Sequence, residues 1–115
     1  MARIVTVVEA ATFVARARGR LTDEERHRAI DMVAADPECG ALIQGGGGLR
    51  KVRFGVGGRG KRGGVRIIYY YHSPSIPVFL LTVFAKNERD DLSRRELNRL
   101  AEVARQIARG DGGDR

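Results

Sequence analysis

The spacing of apolar residues predicts four strands and three helices along the chain. Runs of β-branched and aromatic residues are typical of strands, whereas apolar residues three and four positions apart form one face of a helix. We expect strands at 4–8, 49–54, 65–71 and 78–84, and helices at 9–18, 23–35 and 94–110. The order β-α-α-β-β-β-α predicts an α+β fold with helices flanking one four-stranded, mainly antiparallel sheet.

Two local patterns add the starts of two helices and the position of one strand to this prediction. Thr22 with Glu25, and Ser93 with Glu96, have the spacing of capping boxes, so helices are expected to begin directly after Thr22 and Ser93. The segment 78–84 is apolar at nearly every position, which is typical of a strand buried on both faces. We therefore expect this strand at the centre of the sheet.

Positive charge is concentrated in the middle of the chain. Between Cys39 and Asn87 there is no Asp or Glu, and the window holds eight cationic residues: Arg50, Lys51, Arg53, Arg59, Lys61, Arg62, Arg66 and Lys86. Because the whole chain has a net charge of +7, the remaining residues sum to about −1. Two strands joined by a Gly-rich loop should present these charges on one compact surface, which favours RNA or DNA as the partner.

Composition limits the remaining possibilities. A chain of 115 residues, 43% hydrophobic and 30% charged, fits one globular domain, predicted at 1–109 with a disordered tail at 110–115. The longest apolar runs fall far short of the roughly 20 residues that span a bilayer, so no membrane association is expected. The lone Cys39 and the absence of a leader-like pattern predict a reducing, cytoplasmic location.

Several familiar chemistries are not supported. The glycines at 55–60 match the spacing of a dinucleotide fingerprint, and 55–61 matches most of a phosphate-binding loop, but both motifs require a helix where a strand is predicted here. His27 and His72 lie far apart, each without a second ligand at metal-binding spacing. We therefore expect neither a cofactor nor a metal.

Aromatic and polar residues near the basic hairpin are candidates for contacts with nucleic acid. Strand alternation places Tyr70 on one face and Tyr69 and Tyr71 on the other. A ring on the face of Arg66 could stack on an unpaired base, as in many complexes with single-stranded RNA. The polar segment that begins at Lys86 directly follows a buried strand, a rigid position that suits a site.

Taken together, three stretches of the chain resemble the RelE/HigB branch of the RelE/ParE toxin superfamily. They are Gln44 to Arg53, Gly58 to Tyr70 with its Gly-Lys-Arg-Gly-Gly loop, and Leu80 to Glu88. The resemblance covers nearly the whole chain. It implies a small RelE-like sheet flanked by helices, and a toxin of a type II toxin–antitoxin module that cleaves mRNA in the decoding site of the 30S ribosomal subunit.

Such cleavage requires side chains that act as a base, as an acid and as cations. The ribose 2′-hydroxyl attacks the adjacent phosphorus, so a base must take its proton, an acid must protonate the leaving 5′-oxygen, and cations must stabilise the phosphorane. No metal is required. Lys51, Lys61 and Lys86 are candidate bases, because neighbouring positive charges disfavour a further proton on an amine. The resemblance implies that Lys51, Arg53 and Arg66 are site residues, with Arg66 as the phosphate clamp.

The sequence departs from the pattern of RelE-type toxins at two positions. Asn87 stands where an arginine follows the last strand, and Ser93 stands near the place of a tyrosine. The acid role then passes to Lys86, Lys61 or Glu88, while neighbouring cations favour a positioning role for Glu88. The remaining expected contacts to RNA come from Arg50, Arg53, Arg59, Arg62 and Tyr70.

Two other functions stay open at this point. One is a non-catalytic toxin of the ParE type that poisons DNA gyrase, and the other is a basic nucleic-acid-binding module without catalysis. For the toxin, the resemblance implies a partly acidic helix-turn-helix antitoxin encoded beside it. Operator DNA would be bound only through the toxin–antitoxin complex.

Overall fold

The computed structural model describes residues 5–56, 64–89 and 91–113. Within these segments the chain forms, in order, β1 (Val7–Glu9), α1 (Ala11–Ala17), α2 (Asp23–Ala35), β2 (Ala41–Leu42), β3 (Leu49–Phe54), β4 (Val65–Tyr70), β5 (Val78–Ala85) and α3 (Arg94–Gly113). The predicted α+β class is therefore confirmed. Inside the described residues, none of the helices is long and apolar enough to cross a membrane.

The strands that the structure describes form one sheet in the order β1-β5-β4-β3-β2. β1 runs parallel to β5, and every other pair of neighbours is antiparallel. The prediction of four strands was wrong by one, because β2 has only two residues, too few to show a hydrophobic period. The prediction of the central strand was also wrong: β4 occupies the centre, and β5 lies between β1 and β4.

The predicted bounds hold best where the apolar pattern is strongest. β3 has its predicted limits, and β4 and β5 differ from theirs by one residue. The first strand begins at Val7 instead of Ile4, which lies outside the described residues, and α3 continues three residues past Gly110. Both capping boxes are confirmed, since Glu25 N donates to Thr22 Oγ1 at 3.0 Å and Glu96 N donates to Ser93 Oγ at 3.1 Å.

The sheet is covered by helices on both faces. On one face, Phe13 of α1 and Val33 of α2 pack with Val65, Ile67 and Tyr69 of β4 and other apolar residues. On the other face, α3 packs through Ala101 and Ala104 against a second group: Leu49, Ile68, Tyr70, Leu81 and Phe84. Alternation along β4 therefore sends consecutive side chains into two separate cores, as predicted for Tyr69 and Tyr70.

Tyr69 attaches the α2–β2 connection to the sheet. Its ring is fully buried, and its hydroxyl donates to the Pro37 carbonyl at 2.7 Å and accepts from Gly40 N at 2.8 Å. Burial raises the pKa of Tyr69 well above its usual value, so the hydroxyl stays protonated. Gly40 permits this approach, because a Cβ there would lie 2.8 Å from the tyrosine ring.

We expect Tyr69→Phe to lower the free energy of unfolding by about 1–3 kcal/mol, because the buried Gly40 N–H loses its acceptor. Tyr71→Phe is the matched control, since the Tyr71 hydroxyl has no hydrogen-bond partner among the described residues. Urea unfolding of the three proteins measures the difference. Equal midpoints for the wild type and Tyr69→Phe would contradict this account.

Candidate nucleic-acid interface

The register of β3 and β4 places three cationic residues on the same face of the sheet. Arg53 lies directly opposite Arg66, and Lys51 lies opposite Ile68, whose side chain belongs to the core under α3. The Arg53 side chain is exposed, and those of Lys51 and Arg66 are half-buried. Opposed like charges on neighbouring strands destabilise a sheet by roughly 0.2–1 kcal/mol. A local cost of this kind is typical of a functional surface.

Lys86 extends this surface at the end of β5. Its backbone N–H donates to the Gly64 carbonyl at 3.0 Å, which continues the β4–β5 pairing one position beyond Val65 and Ala85. Strand alternation then puts Lys86 on the side of Phe84. Gly64 has φ +55°, and a Cβ there would meet the Phe54 carbonyl oxygen at 2.4 Å, so the end of the hairpin requires glycine.

The segment between β5 and α3 adds a third arginine to this face. The Arg89 guanidinium lies over the Phe84 ring, 4.8 Å from its centroid, and Phe84 lies opposite Arg66. Glu96 accepts two hydrogen bonds from Arg89, at 2.5 and 3.1 Å, and these bonds hold the pKa of Glu96 below its usual range. Arg89 is therefore fixed by stacking and by a two-point ion pair.

A carboxylate also lies within this surface. Asp91 Oδ1 is 3.1 Å from Lys51 Nζ and accepts from Leu92 N at 2.8 Å. Burial acts to raise the pKa of Asp91, but the hydrogen bonds from Leu92 N and Lys51 outweigh it and lower the pKa overall. We call Lys51, Arg53, Arg66, Lys86 and Arg89 together the cationic face.

The cationic face combines Arg89, held by stacking and an ion pair, with lysines and arginines on and beside the sheet, an arrangement suited to gripping phosphates. A comparison with protein families gives it a context: the model of the RelE toxin of the RelE/RelB toxin–antitoxin system matches residues 5–112. The chain belongs to the RelE toxin family. It is accordingly a toxin of a toxin–antitoxin system, and its sheet flanked by helices is consistent with a RelE-like fold.

The structure of this RelE-family toxin separates the predicted site residues into groups. It places Lys51, Arg53 and Arg66 on one face of the sheet, and the backbone of Lys86 pairs with Gly64 next to the start of β4. Arg59, Lys61 and Arg62 lie outside the described residues, so their predicted roles stay predictions. Among the residues that the structure describes, there is no group of three or more His, Cys, Asp or Glu that could hold a metal.

Arg50 and Tyr70, both predicted to bind RNA, are placed elsewhere. Arg50 points to the opposite face, where its guanidinium donates to the Gly40 carbonyl at 2.7 Å and to the Glu38 carbonyl at 3.3 Å. Tyr70 shares the face of Arg66, but it is only 4% exposed beneath α3, and its hydroxyl bonds to His72 Nδ1 at 3.2 Å. The structure therefore places Arg50 on the face opposite the cationic face and Tyr70 in the core, and it lends no support to the predicted contacts of either residue with RNA.

Glu88 is engaged away from the lysines of the sheet. Its carboxylate accepts from Arg20 at 2.9 and 2.5 Å and from Ala85 N at 2.7 Å. The hydrogen bonds from Arg20 are the main cause that lowers the pKa of Glu88 to about 2, so the group is ionised at neutral pH and cannot donate a proton. It lines a cavity of about 500 Å³ with Arg18 and Asn87, and there it joins the α1–α2 connection to the end of β5.

Arg89 and Asp91 are the site residues that sequence reasoning missed. The sequence indicated that the polar segment beginning at Lys86, which includes Arg89, suits a site, but it gave no role to Arg89 and did not mark Asp91. Its partners, Phe84 and Glu96, lie five and seven residues away in different elements, β5 and α3, so no single strand or helix period relates the three residues. The signal that could have found these residues is the closeness of Arg89 and Asp91 to the capping box at Ser93, which turns the chain back toward the sheet.

The Glu88–Arg20 ion pair predicts a pH dependence of stability. Because the folded pKa of about 2 lies below the ordinary value of 4.5, the contribution of Glu88 is complete above about pH 5 and is lost as pH falls through 2. We expect the stability difference between the wild type and Glu88→Gln to shrink between pH 5 and pH 2. Urea unfolding across this range measures it, with Glu38→Gln as the control for net charge.

Proposed function

We propose that this toxin is a ribosome-dependent endoribonuclease that cleaves mRNA by attack of a ribose 2′-hydroxyl on the adjacent phosphodiester. Membership in the RelE family supports the proposal, since toxins of this family generally cleave RNA. The observation that carries it is the direct opposition of Arg53, whose side chain is exposed, and Arg66, whose side chain is half-buried. Two guanidiniums side by side can grip one phosphate through several paired hydrogen bonds.

The transition state carries more charge than the substrate, which gives the arginines their role. As the 2′-oxygen attacks, negative charge grows on the oxygens of the phosphorane. Arg53 and Arg66 lie where they can hold these oxygens, and Arg89 approaches the same face from the other side of Phe84. The stacking and ion pair of Arg89 keep its charge in place before the substrate arrives, so little reorganisation is required.

We assign the two proton transfers of the reaction to two different lysines. Lys51 Nζ lies 3.1 Å from Asp91 Oδ1, a contact that orients the ammonium group, and we assign to Lys51 the donation of a proton to the leaving 5′-oxygen. Lys86 has no carboxylate partner among the described residues, and we assign to it the removal of the 2′-hydroxyl proton. Lys61, outside the described residues, is the alternative base. Glu88 is ionised and bound to Arg20, so it takes no part as an acid.

Membership in the RelE family implies that an antitoxin regulates this toxin. A RelE-type toxin has a cognate antitoxin, and a protein with a cationic face of this kind is expected to be neutralised by a partner with acidic segments. We propose a helix-turn-helix antitoxin encoded next to this gene, with operator DNA bound through the complex alone. The toxin itself would act in the cytoplasm, where translating ribosomes supply its substrate.

Cleavage of mRNA on translating ribosomes tests the proposal. We expect the purified toxin to generate new 5′ ends within translated codons, and Arg53→Gln or Arg66→Gln to lower the cleavage rate by about 10²–10³, as when one transition-state donor is removed. Arg28→Gln is the matched control, because Arg28 lies on α2, on the opposite side of the sheet, and is paired with Glu24. Its rate should equal that of the wild type.

Intact transcripts at a toxin concentration equal to that of ribosomes would refute the nuclease. Trapped gyrase–DNA complexes under the same conditions would instead identify a poison of the ParE type. Equal losses in Arg66→Gln and Arg28→Gln would show that net charge, and not the cationic face, controls the reaction.

A second test concerns the assignment of Lys86. We expect Lys86→Gln to lower cleavage by about 10²–10⁴, the usual contribution of a general base, while the affinity for an uncleavable 2′-O-methyl RNA changes by less than about fivefold. Arg66→Gln should lose both cleavage and affinity. A Lys86→Gln protein that cleaves at the wild-type rate would transfer the role to another lysine, and Lys61→Gln is then the variant to measure.

A further inference from the structure

Asp91 is a negative group that faces a lysine of the cationic face. Its Oδ1 atom lies 3.1 Å from Lys51 Nζ, and the positive charge of Arg89 also acts on it. About 59% of the Asp91 side chain and 31% of the Lys51 side chain are exposed, so solvent and solutes reach both groups. The pair lines a groove of about 300 Å³ that includes Leu42 and Leu97.

The needs of folding do not account for this placement. An ion pair as exposed as Lys51–Asp91 contributes little to the stability of a protein. The Asp91 carboxylate is instead oriented by the backbone, because Leu92 N donates to the same oxygen that faces Lys51. The turn that precedes α3 thus presents an anion to one lysine of the cationic face.

A carboxylate oxygen near an ammonium group occupies the position that a phosphate oxygen would otherwise take. Both are anionic acceptors, and one ammonium cannot give its full interaction to two of them at once. We propose that Asp91 is an internal counter-ion that competes with an RNA phosphate for Lys51. This inference rests on the proposed function in one respect, that the ligand of the cationic face is the RNA backbone.

This competition lowers the affinity of the free toxin for RNA. An arriving phosphate repels Asp91, and RNA binds only after the carboxylate has given up part of its contact with Lys51. Asp91 therefore weakens binding to any polyanion that lacks further contacts. RNA that is held in place by other means, as on the ribosome, overcomes this competition more readily because its phosphate is already positioned.

Asp91→Asn tests the inference with little structural change, because an amide oxygen can still accept from Leu92 N. The probe is a short single-stranded 2′-O-methyl RNA, which cannot be cleaved, and fluorescence anisotropy at constant salt gives its affinity. The matched control is Asp31→Asn, an exposed residue of α2 on the opposite side of the sheet, which changes the net charge equally. We expect Asp91→Asn to bind about two- to fivefold more tightly than Asp31→Asn.

Repeating the affinity measurements in a Lys51→Gln protein shows whether Asp91 acts through Lys51. If Asp91 acts through Lys51, Asp91→Asn will not increase the affinity of Lys51→Gln beyond the increase that Asp31→Asn causes. Equal affinities of Asp91→Asn and Asp31→Asn, no binding by either, or an undiminished gain in the Lys51→Gln background overturns the inference. Failure of the proposed function is seen separately, because a wild type that binds the RNA probe but leaves ribosomal mRNA intact refutes only the nuclease.

Discussion

The pairing of β3 with β4 is the constraint on which the rest of the site depends. Side chains alternate along both strands, and Val52 and Ile67 lie opposite each other on the face covered by α1 and α2. A shift of one residue would expose these apolar side chains and bury arginines, so the register is fixed by burial. The same register forces Arg53 and Arg66 together on the other face. The core thereby maintains a charge arrangement that would be unfavourable by itself.

Anionic side chains make this concentration of charge tolerable. Glu96 fixes Arg89 from the first turn of α3, where a carboxylate also complements the helix dipole, and it lies 3.6 Å from Arg16 of α1. Asp91 offsets Lys51 in the same way. Both acids come from the segment that leaves β5 and starts α3. The segment from Arg89 to Glu96 therefore supplies the cationic face with one arginine and with two carboxylates that partly neutralise its charge.

The opposite face shows that basic residues of one strand can serve different purposes. Arg50 neighbours Lys51 in sequence, yet it bonds to the carbonyl groups of Glu38 and Gly40, beside the hydroxyl of Tyr69. These contacts connect α2 to the sheet through a segment with little regular structure. The concentration of positive charge at 50–66 is thus only partly a binding surface, since one of its members supports the fold.

Sequence alone determined β3, β4 and β5, the capped starts of α2 and α3, and the common face of Lys51 and Arg53, because these follow from periods and caps that neighbouring residues create. It could not reveal the short β2, the alignment of Arg66 with Arg53, the burial of Tyr70 beneath α3, or the bonds from Arg50 to the carbonyl groups of Glu38 and Gly40. Nor could it assign Arg89 and Asp91 to the cationic face. Those features depend on contacts between residues distant in the chain, and only the packing of α3 and its preceding turn against the sheet decided them.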